Sequence, residues 1–227
     1  MDLSPLWVSI KVAGCATALT FVLGIVAARL VVRLDRLKGV IDGLFTLPMV
    51  LPPTVVGFFL LLLFGKNGLL GQTLASLGWS VVFTWQGAVI AATVVSFPLM
   101  YRATRGAFEQ MDPNLIHAAR TLGASETWIF LRVMLPLCWP GVAAGTILAF
   151  ARALGEFGAT TMLAGNIPGR TQTMSLAVYT AVANNNRAIA YKWVGVIMII
   201  SFVSMYLMNR WTGYQERSWR ARGGGGS

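Results

Sequence analysis

Two ionisable residues, Arg152 and Glu156, stand four positions apart in the otherwise apolar stretch LAFARALGEFGATTML. Residues at this spacing lie on one face of a helix and can form an ion pair. Ionisable residues at membrane depth are candidates for a substrate pathway. The alternative, which we favour, is a mutual ion pair that only stabilises the helix.

Catalytic and metal-binding chemistry have little support in the sequence. No glycine-rich phosphate-binding loop followed by Lys and Ser or Thr occurs, so the chain cannot be an ATPase itself. The single histidine, His117, has no neighbouring cluster of acidic residues. Cys15 and Cys138 both lie in apolar runs, without the spacing of a metal site. We therefore expect no catalytic residue, metal or cofactor on this chain.

The stretch HAARTLGASETWIFLRVMLPL, residues 117–137, predicts two short helices around a glycine. Asp112 and Pro113 are typical of an N-cap and a first helical position, and Gly123 would end that helix after Leu122. A second helix would begin after the cap Ser125 and run to residue 134. The apolar face of this second helix would comprise Trp128, Leu131 and Leu135, and Pro136 would stop the helix.

The composition places the chain in a lipid bilayer. It is 56% hydrophobic and 11% charged, whereas soluble domains carry about 25% charged residues. The last five residues, GGGGS at 223–227, are typical of a fusion linker, so residues 1–222 form the single predicted domain. The net charge of +10 would suggest nucleic acid in a soluble protein, but here it is better explained by membrane orientation.

Five apolar runs are long enough to span the bilayer, and they predict an all-α polytopic membrane protein. They cover residues 6–32, 44–64, 83–101, 137–162 and 192–209. Alternate compartments receive twelve and six basic residues, and the richer side is cytoplasmic by the positive-inside rule. The N-terminus is then outside and the C-terminus inside. The twelve are Arg29, Arg33, Arg36, Lys38, Arg102, Arg105, Arg120, Arg132, Arg210, Arg217, Arg220 and Arg222.

Prolines interrupt several of these runs. Irregular backbone at membrane depth is tolerated only where protein or a water-filled cavity covers it, so it hints at a pathway. A kink that serves packing alone is at least as good an explanation for any single proline. The resulting candidates for a pathway or gate are Pro48, Pro52, Pro53, Thr54 and Pro98, together with Arg152 and Glu156.

The cytoplasmic stretch resembles the EAA loop of bacterial ABC importer permeases, which docks into a groove on the ATPase subunit. We call residues 103–136 the coupling loop. One position departs from the family pattern, because His117 stands where Glu is usual. An alternative from helical periodicity alone is a segment that only covers the ends of the spans. The matching residues are His117, Ala118, Ala119, Gly123, Val133, Leu135 and Pro136.

The resemblance extends from about residue 7 to 210 and is most specific in LAFARALGEFGATTMLAGNIPGRTQT. This stretch looks like the molybdate permeases, whose nearest relatives are sulfate and thiosulfate permeases. The resemblance implies a type I ABC importer fold and transport of molybdate, with tungstate as a further substrate. A tetrahedral dianion needs cationic or N–H donors along its route. The predicted outer half offers Arg152, Arg170, Arg187 and Lys192.

The resemblance also implies partners and a location. We expect a second permease copy, two ATPase subunits that carry ATP and Mg, and an extracytoplasmic oxyanion-binding protein. The location would be the bacterial or archaeal cytoplasmic membrane, with no nucleic-acid partner. A sulfate importer is the main alternative. A self-contained secondary anion carrier is more remote, because Glu156 is the only acidic residue in a predicted span.

Overall fold

The structure, a computed structural model, describes residues 2–34 and 36–223, and every ordered element in these ranges is helical. The predicted all-α class is therefore confirmed. Residues 224–227 of the predicted linker lie outside the described residues. The helices are α1 Ser4–Val32, α2 Lys38–Val50, α3 Pro53–Phe64, α4 Leu69–Ser76, α5 Trp85–Glu109, α6 Pro113–Thr121, α7 Glu126–Ile129, α8 Leu135–Leu137, α9 Trp139–Leu154, α10 Gly158–Ala164, α11 Met174–Ala183 and α12 Arg187–Gly223.

Three helices of the described chain could cross a membrane unbroken: α1, α5 and the Arg187–Leu207 part of α12. The pair α2 and α3 could form a fourth span, and Glu126–Leu137 with α9 could form a fifth, but both pairs are bent. The five predicted runs therefore correspond to three continuous helices and two bent pairs. Helix α5 also continues to Glu109, past the predicted end at residue 101.

The predicted span over residues 44–64 is divided between two helices, with the break at prolines that the sequence marks. Helix α2 ends at Val50, and the axes of α2 and α3 meet at 111°. Leu51 and Pro52 are extended because each precedes a proline, whose ring disfavours helical backbone in the residue before it. Pro53 is tolerated at the first position of α3, where no backbone donor is needed.

The predicted span over residues 137–162 is likewise divided between helices. Helix α9 ends at Leu154, and the chain leaves the helix before α10 begins at Gly158. The side chain of Glu156 accepts a hydrogen bond from the backbone N–H of Ala159 at 2.8 Å. This bond satisfies a donor at the start of α10, so a new helix begins where the old one would have continued.

The centre of the fold is the close packing of α1 against α5. A Cβ placed on Gly24 would lie 2.6 Å from Cγ of Met100 and 3.4 Å from the backbone nitrogen of Tyr101, so α1 and α5 leave little room for a side chain there. The hydroxyl groups of Thr20 and Ser96 are 3.2 Å apart between the same helices. Small residues with few polar contacts are the usual means of packing membrane helices. The buried small residues include Ala13, Ala16, Ala28, Ala88 and Ala92.

Contacts at the helix ends define two opposite ends of the molecule. At one end, Arg33 after α1 pairs with Glu126, and Lys38 pairs with Glu109 at the end of α5. At the other, the N–H of Met174 donates to Oγ of Ser9 at 2.8 Å. The first end holds the coupling loop and is the cytoplasmic end by the positive-inside rule. The second is the outer end.

Candidate functional site

The first helix of the coupling loop, α6, begins and ends as the sequence predicts. The Asp112 carboxylate accepts a hydrogen bond from the N–H of Asn114 at 2.9 Å, and Pro113 occupies the first turn. Gly123 then adopts a positive φ of 78°, which glycine adopts without strain. The Ser125 hydroxyl accepts from the N–H of Trp128, so this residue is the predicted cap of the next helix.

The second helix of the coupling loop differs from its prediction. The α-helical part stops at Ile129, a π-helical segment follows over Phe130–Met134, and helical structure continues to Leu137. Pro136 therefore does not end the helix. Proline has no N–H to donate, and the π-helical segment just before it changes the hydrogen-bonding register at that point. The break comes at Cys138, where the chain bends by 72° into α9.

Much of the coupling loop is exposed. Helix α6 has no buried residue, and Leu122 is 87% exposed. Trp128 and Leu131 of the predicted apolar face are both 52% exposed. Of the motif residues, His117, Ala118, Gly123 and Pro136 are exposed, whereas Ala119, Val133 and Leu135 are half-buried.

Exposed apolar side chains beside small residues form a surface that a partner's cleft could cover.

The loop is anchored to the membrane helices by its second half. The Phe108 and Phe130 rings, both buried, meet edge to face with centroids 6.0 Å apart. The guanidinium of Arg29 lies 4.0 Å from the Phe130 ring centroid. Motion of the loop would therefore reach α1 and α5 directly.

Glu126 is the centre of an ionic cluster between the coupling loop and α1. Its carboxylate accepts from Nε of Arg120 at 2.6 Å and from Nη2 of Arg33 at 2.9 Å. Its backbone carbonyl accepts from Arg29 at 3.4 Å. The Arg120 guanidinium beside Glu126 holds the pKa of that carboxyl below its ordinary value. This role of Glu126 was not predicted, although Arg29 and Arg33, four positions apart in α1, are a signal for it in the sequence.

A second ionic cluster at the cytoplasmic end was also missed. Arg105 pairs with Asp42 on α2 and with Glu109 one turn further along α5. The Tyr101 hydroxyl donates to Asp42 at 3.1 Å. The cluster joins α2 to α5 on the cytoplasmic side of the 111° corner between α2 and α3. An i, i+4 spacing of Arg105 and Glu109 was the only signal for it in the sequence.

Arg152 and Glu156 form the ion pair that their spacing allows. Nη1 of Arg152 lies 2.6 Å from Oε2 of Glu156, and the other carboxylate oxygen caps α10. Glu156 is only 2% exposed, whereas Arg152 is half-buried. Both carboxylate oxygens are thus used within the chain. This arrangement suits a locking role, and one side of Arg152 remains accessible.

The predicted pathway prolines do not all come together. Pro53 and Thr54 lie against Gly158, where an added Cβ would be 3.0 Å from Cβ of Pro53. Because Gly158 is only two positions after Glu156, Pro53 and Thr54 lie close to Glu156 in space, at the junction of α3 and α10. Pro48 lies inside α2 and Pro98 inside α5, and Pro52 is exposed at the corner.

The described residues contain no candidate metal site. Among the described residues, no group of three or more His, Cys, Asp or Glu side chains could hold a metal ion.

These features define a multi-pass helical membrane protein that presents an exposed helix–turn–helix at its cytoplasmic end. Residues 20–220 match the family of binding-protein-dependent transport system inner membrane components, and the chain belongs to this family. The solved structure of the MetNI methionine ABC transporter, in inward-facing conformations, has the same fold. Its TM-score is 0.74 at 17% identity, over 92% of this chain and 94% of that chain. The predicted type I importer permease fold is confirmed.

Two relatives are similar over most of their length. The molybdenum transport system permease protein ModB of Escherichia coli (strain K12) is 48% identical over 77% of each chain. The protein of the same name from Haemophilus influenzae is 45% identical over 80% of each chain.

Proposed function

We propose that this chain is the membrane-spanning permease subunit of an ATP-driven molybdate importer in a bacterial cytoplasmic membrane. The observation that carries the proposal is the exposed coupling loop at the cytoplasmic end of an importer permease fold. Identity of 45–48% to molybdenum transport permeases supports the choice of substrate. No observation favours sulfate over molybdate, so sulfate enters only as a competitor in the test.

The chain itself supplies the substrate pathway and the coupling loop, and a partner supplies the energy of ATP hydrolysis. Two ATPase subunits, which bind ATP and Mg, would receive the coupling loops of two permease copies. The small residues Ala118 and Ala119 allow α6 to approach a partner's cleft closely, and Gly123 sets the angle between the two helices of the loop. An extracytoplasmic binding protein would deliver the oxyanion to the outer end.

Alternating access requires part of the permease to move against the rest. The coupling loop contacts α1 through Glu126 and α5 through Phe130. Closure of the ATPase dimer would therefore pull on the cytoplasmic ends of both helices. The corner between α2 and α3 is the proposed gate, because Pro52 and Pro53 leave two short helices in place of one rigid span. Alanine at both positions should impair transport, and normal transport by that variant would refute the gate.

ATP hydrolysis by the reconstituted complex tests the proposal. The permease would be combined with its ATPase and binding protein in proteoliposomes, and molybdate, tungstate and sulfate would be compared. We expect loaded binding protein to stimulate hydrolysis in the wild type, and molybdate to give the strongest response. The control is Gly123→Arg, which should abolish stimulation. An ATPase that neither binds the chain nor responds would refute the importer assignment.

A further inference from the structure

A concave pocket of about 460 Å³ at the outer end contains two cationic side chains. Pockets of this size are typical of small-ligand sites. The pocket lies between the first turns of α1, the start of α5 and the turn that joins α10 to α11. Its polar and aromatic lining includes Trp7, Lys11, Thr84, Trp85, Gln86 and Arg170.

The two cations are not neutralised within the chain. Each ion pair found among the described side chains involves other residues, and neither Lys11 nor Arg170 has a carboxylate partner within 4.0 Å there. The Lys11 ammonium lies instead 3.6 Å from the centroid of the Trp85 ring. A cation on an aromatic face keeps its full charge and can still donate to a ligand.

Further groups in the pocket also favour an anion. Helix α5 begins at Trp85, so its N-terminus adds partial positive charge to the pocket. The Gln86 side chain is exposed and carries an amide donor. Gly169 has a positive φ of 73°, and the turn that it forms places Arg170 in the pocket. An arginine, a lysine and an amide are the donors that bind tetrahedral oxyanions.

We propose that this pocket is a binding site for a tetrahedral oxyanion at the outer surface. Two sources offer this chemistry: a free oxyanion such as molybdate, and the phosphate of a phospholipid headgroup. If the bound ligand is a free oxyanion, this inference rests on the proposed function. If the ligand is a phospholipid, the inference is independent of the proposed function, and the position of Lys11 supports a phospholipid.

Lys11 continues an exposed face of α1 that lies at membrane depth. Residues on this face recur every three or four positions: Lys11, Cys15, Leu19, Val22 and Val26. The apolar members could contact acyl chains, while Lys11 and the 73% exposed Trp7 stand at the level of the headgroups. A lipid on this face would bring its phosphate to the mouth of the pocket.

Binding measurements without ATP or binding protein test the site. The permease–ATPase complex would be placed in nanodiscs of phosphatidylcholine and titrated with molybdate or sulfate by calorimetry. Retained lipids would be measured separately by native mass spectrometry of complex taken from bilayers that contain phosphatidylglycerol. The variants are Lys11→Gln, Arg170→Gln and their combination, with Lys192→Gln as a matched control, because Lys192 is exposed near the outer end but does not line the pocket.

We expect each pocket variant to weaken binding of the bound species about tenfold, and the control to leave it unchanged. Binding of free oxyanion alone identifies a substrate site, and retention of phosphatidylglycerol alone identifies a headgroup site. Either result supports the proposal. Wild-type complex that binds neither species, or a double variant that binds as the wild type does, overturns it. Since no ATP is used, a failure of transport leaves these results unaffected.

Discussion

Nη2 of Arg33 lies 2.9 Å from Oε2 of Glu126, across 93 positions of the chain. The pair joins the cytoplasmic end of α1 to the second helix of the coupling loop, and Arg120 joins the first helix to the same carboxylate. One carboxylate thus holds both helices of the loop to α1. The outer end of α1 is in turn bonded to α11 through Ser9.

Loss of charge at Glu126 should weaken the coupling between ATP hydrolysis and transport. Glu126→Gln keeps the shape of the side chain but removes the charge that holds Arg33 and Arg120. We expect a several-fold decrease in molybdate uptake per ATP hydrolysed. Both rates would be measured on the same proteoliposomes.

A charge exchange provides the control for Glu126. Arg33→Glu alone should uncouple as Glu126→Gln does, whereas Arg33→Glu combined with Glu126→Arg should restore part of the coupling. A double variant no better than either single variant would mean that the pair does not transmit motion.

The same ion pairs should be insensitive to pH near neutrality. The folded chain lowers the pKa of Glu126 from its ordinary value of 4.5, chiefly through the hydrogen bond from Arg120. The stabilisation that the ionised Glu126 carboxylate provides is therefore fully present above that ordinary pKa. It is lost only as the pH falls through the lowered pKa. The ratio of wild-type to Glu126→Gln uptake should not change over the neutral range. A ratio that changes there would assign the effect to another group.

Substitution of Gly123 should be unfavourable because of the backbone conformation at this position alone. Its φ is 78°, and an added Cβ would meet nothing within 4 Å. Gly123→Ala should therefore cost roughly 1 to 2 kcal/mol locally and weaken ATPase binding. Gly106→Ala is the matched control, since Gly106 lies in α5 with equally open space and no positive φ. Affinity for the ATPase would be measured by surface plasmon resonance, and equal losses in both variants would contradict the explanation.

Gly57 should be needed for the contact between α3 and α10. A Cβ there would lie 2.7 Å from Cα of Ala159, so Gly57→Ala must push the two helices apart. We expect a loss of about 1 to 3 kcal/mol in stability, seen as a lower melting temperature in detergent. Gly14→Ala, with nothing within 4 Å of its added Cβ, should not lower the melting temperature. A stable Gly57→Ala protein would refute the close packing.

The ion pair of Arg152 and Glu156 should stabilise the fold and should not be needed for contact with the substrate. Arg152→Gln leaves the buried Glu156 without its cation and should destabilise the chain by about 2 kcal/mol. Because the carboxylate still caps α10, uptake per folded molecule should stay within about twofold. Uptake and melting temperature would be measured together. Unchanged stability with lost uptake would instead place Arg152 in the pathway.

The sequence by itself determined the membrane class, the helix caps and the exposed coupling loop. These features depend on local chemistry: apolar length for the spans, hydrogen bonds of Asp112 and Ser125 for the caps, and glycine at the positive φ of residue 123. Each can be predicted because the residues that cause it are neighbours in the chain.

Only the tertiary structure decided the angles at which the broken spans bend and which distant residues meet. The prolines mark where the run of 44–64 is interrupted, but neither they nor hydropathy give the 111° angle of the corner. The start of α10 likewise depends on the Glu156 side chain, which turns back to accept from the N–H of Ala159. The pairing of Arg33 with Glu126 and the shared pocket of Lys11 and Arg170 depend on helix packing. Residues so far apart in sequence come together only when α1 packs against α5, because no local rule relates them.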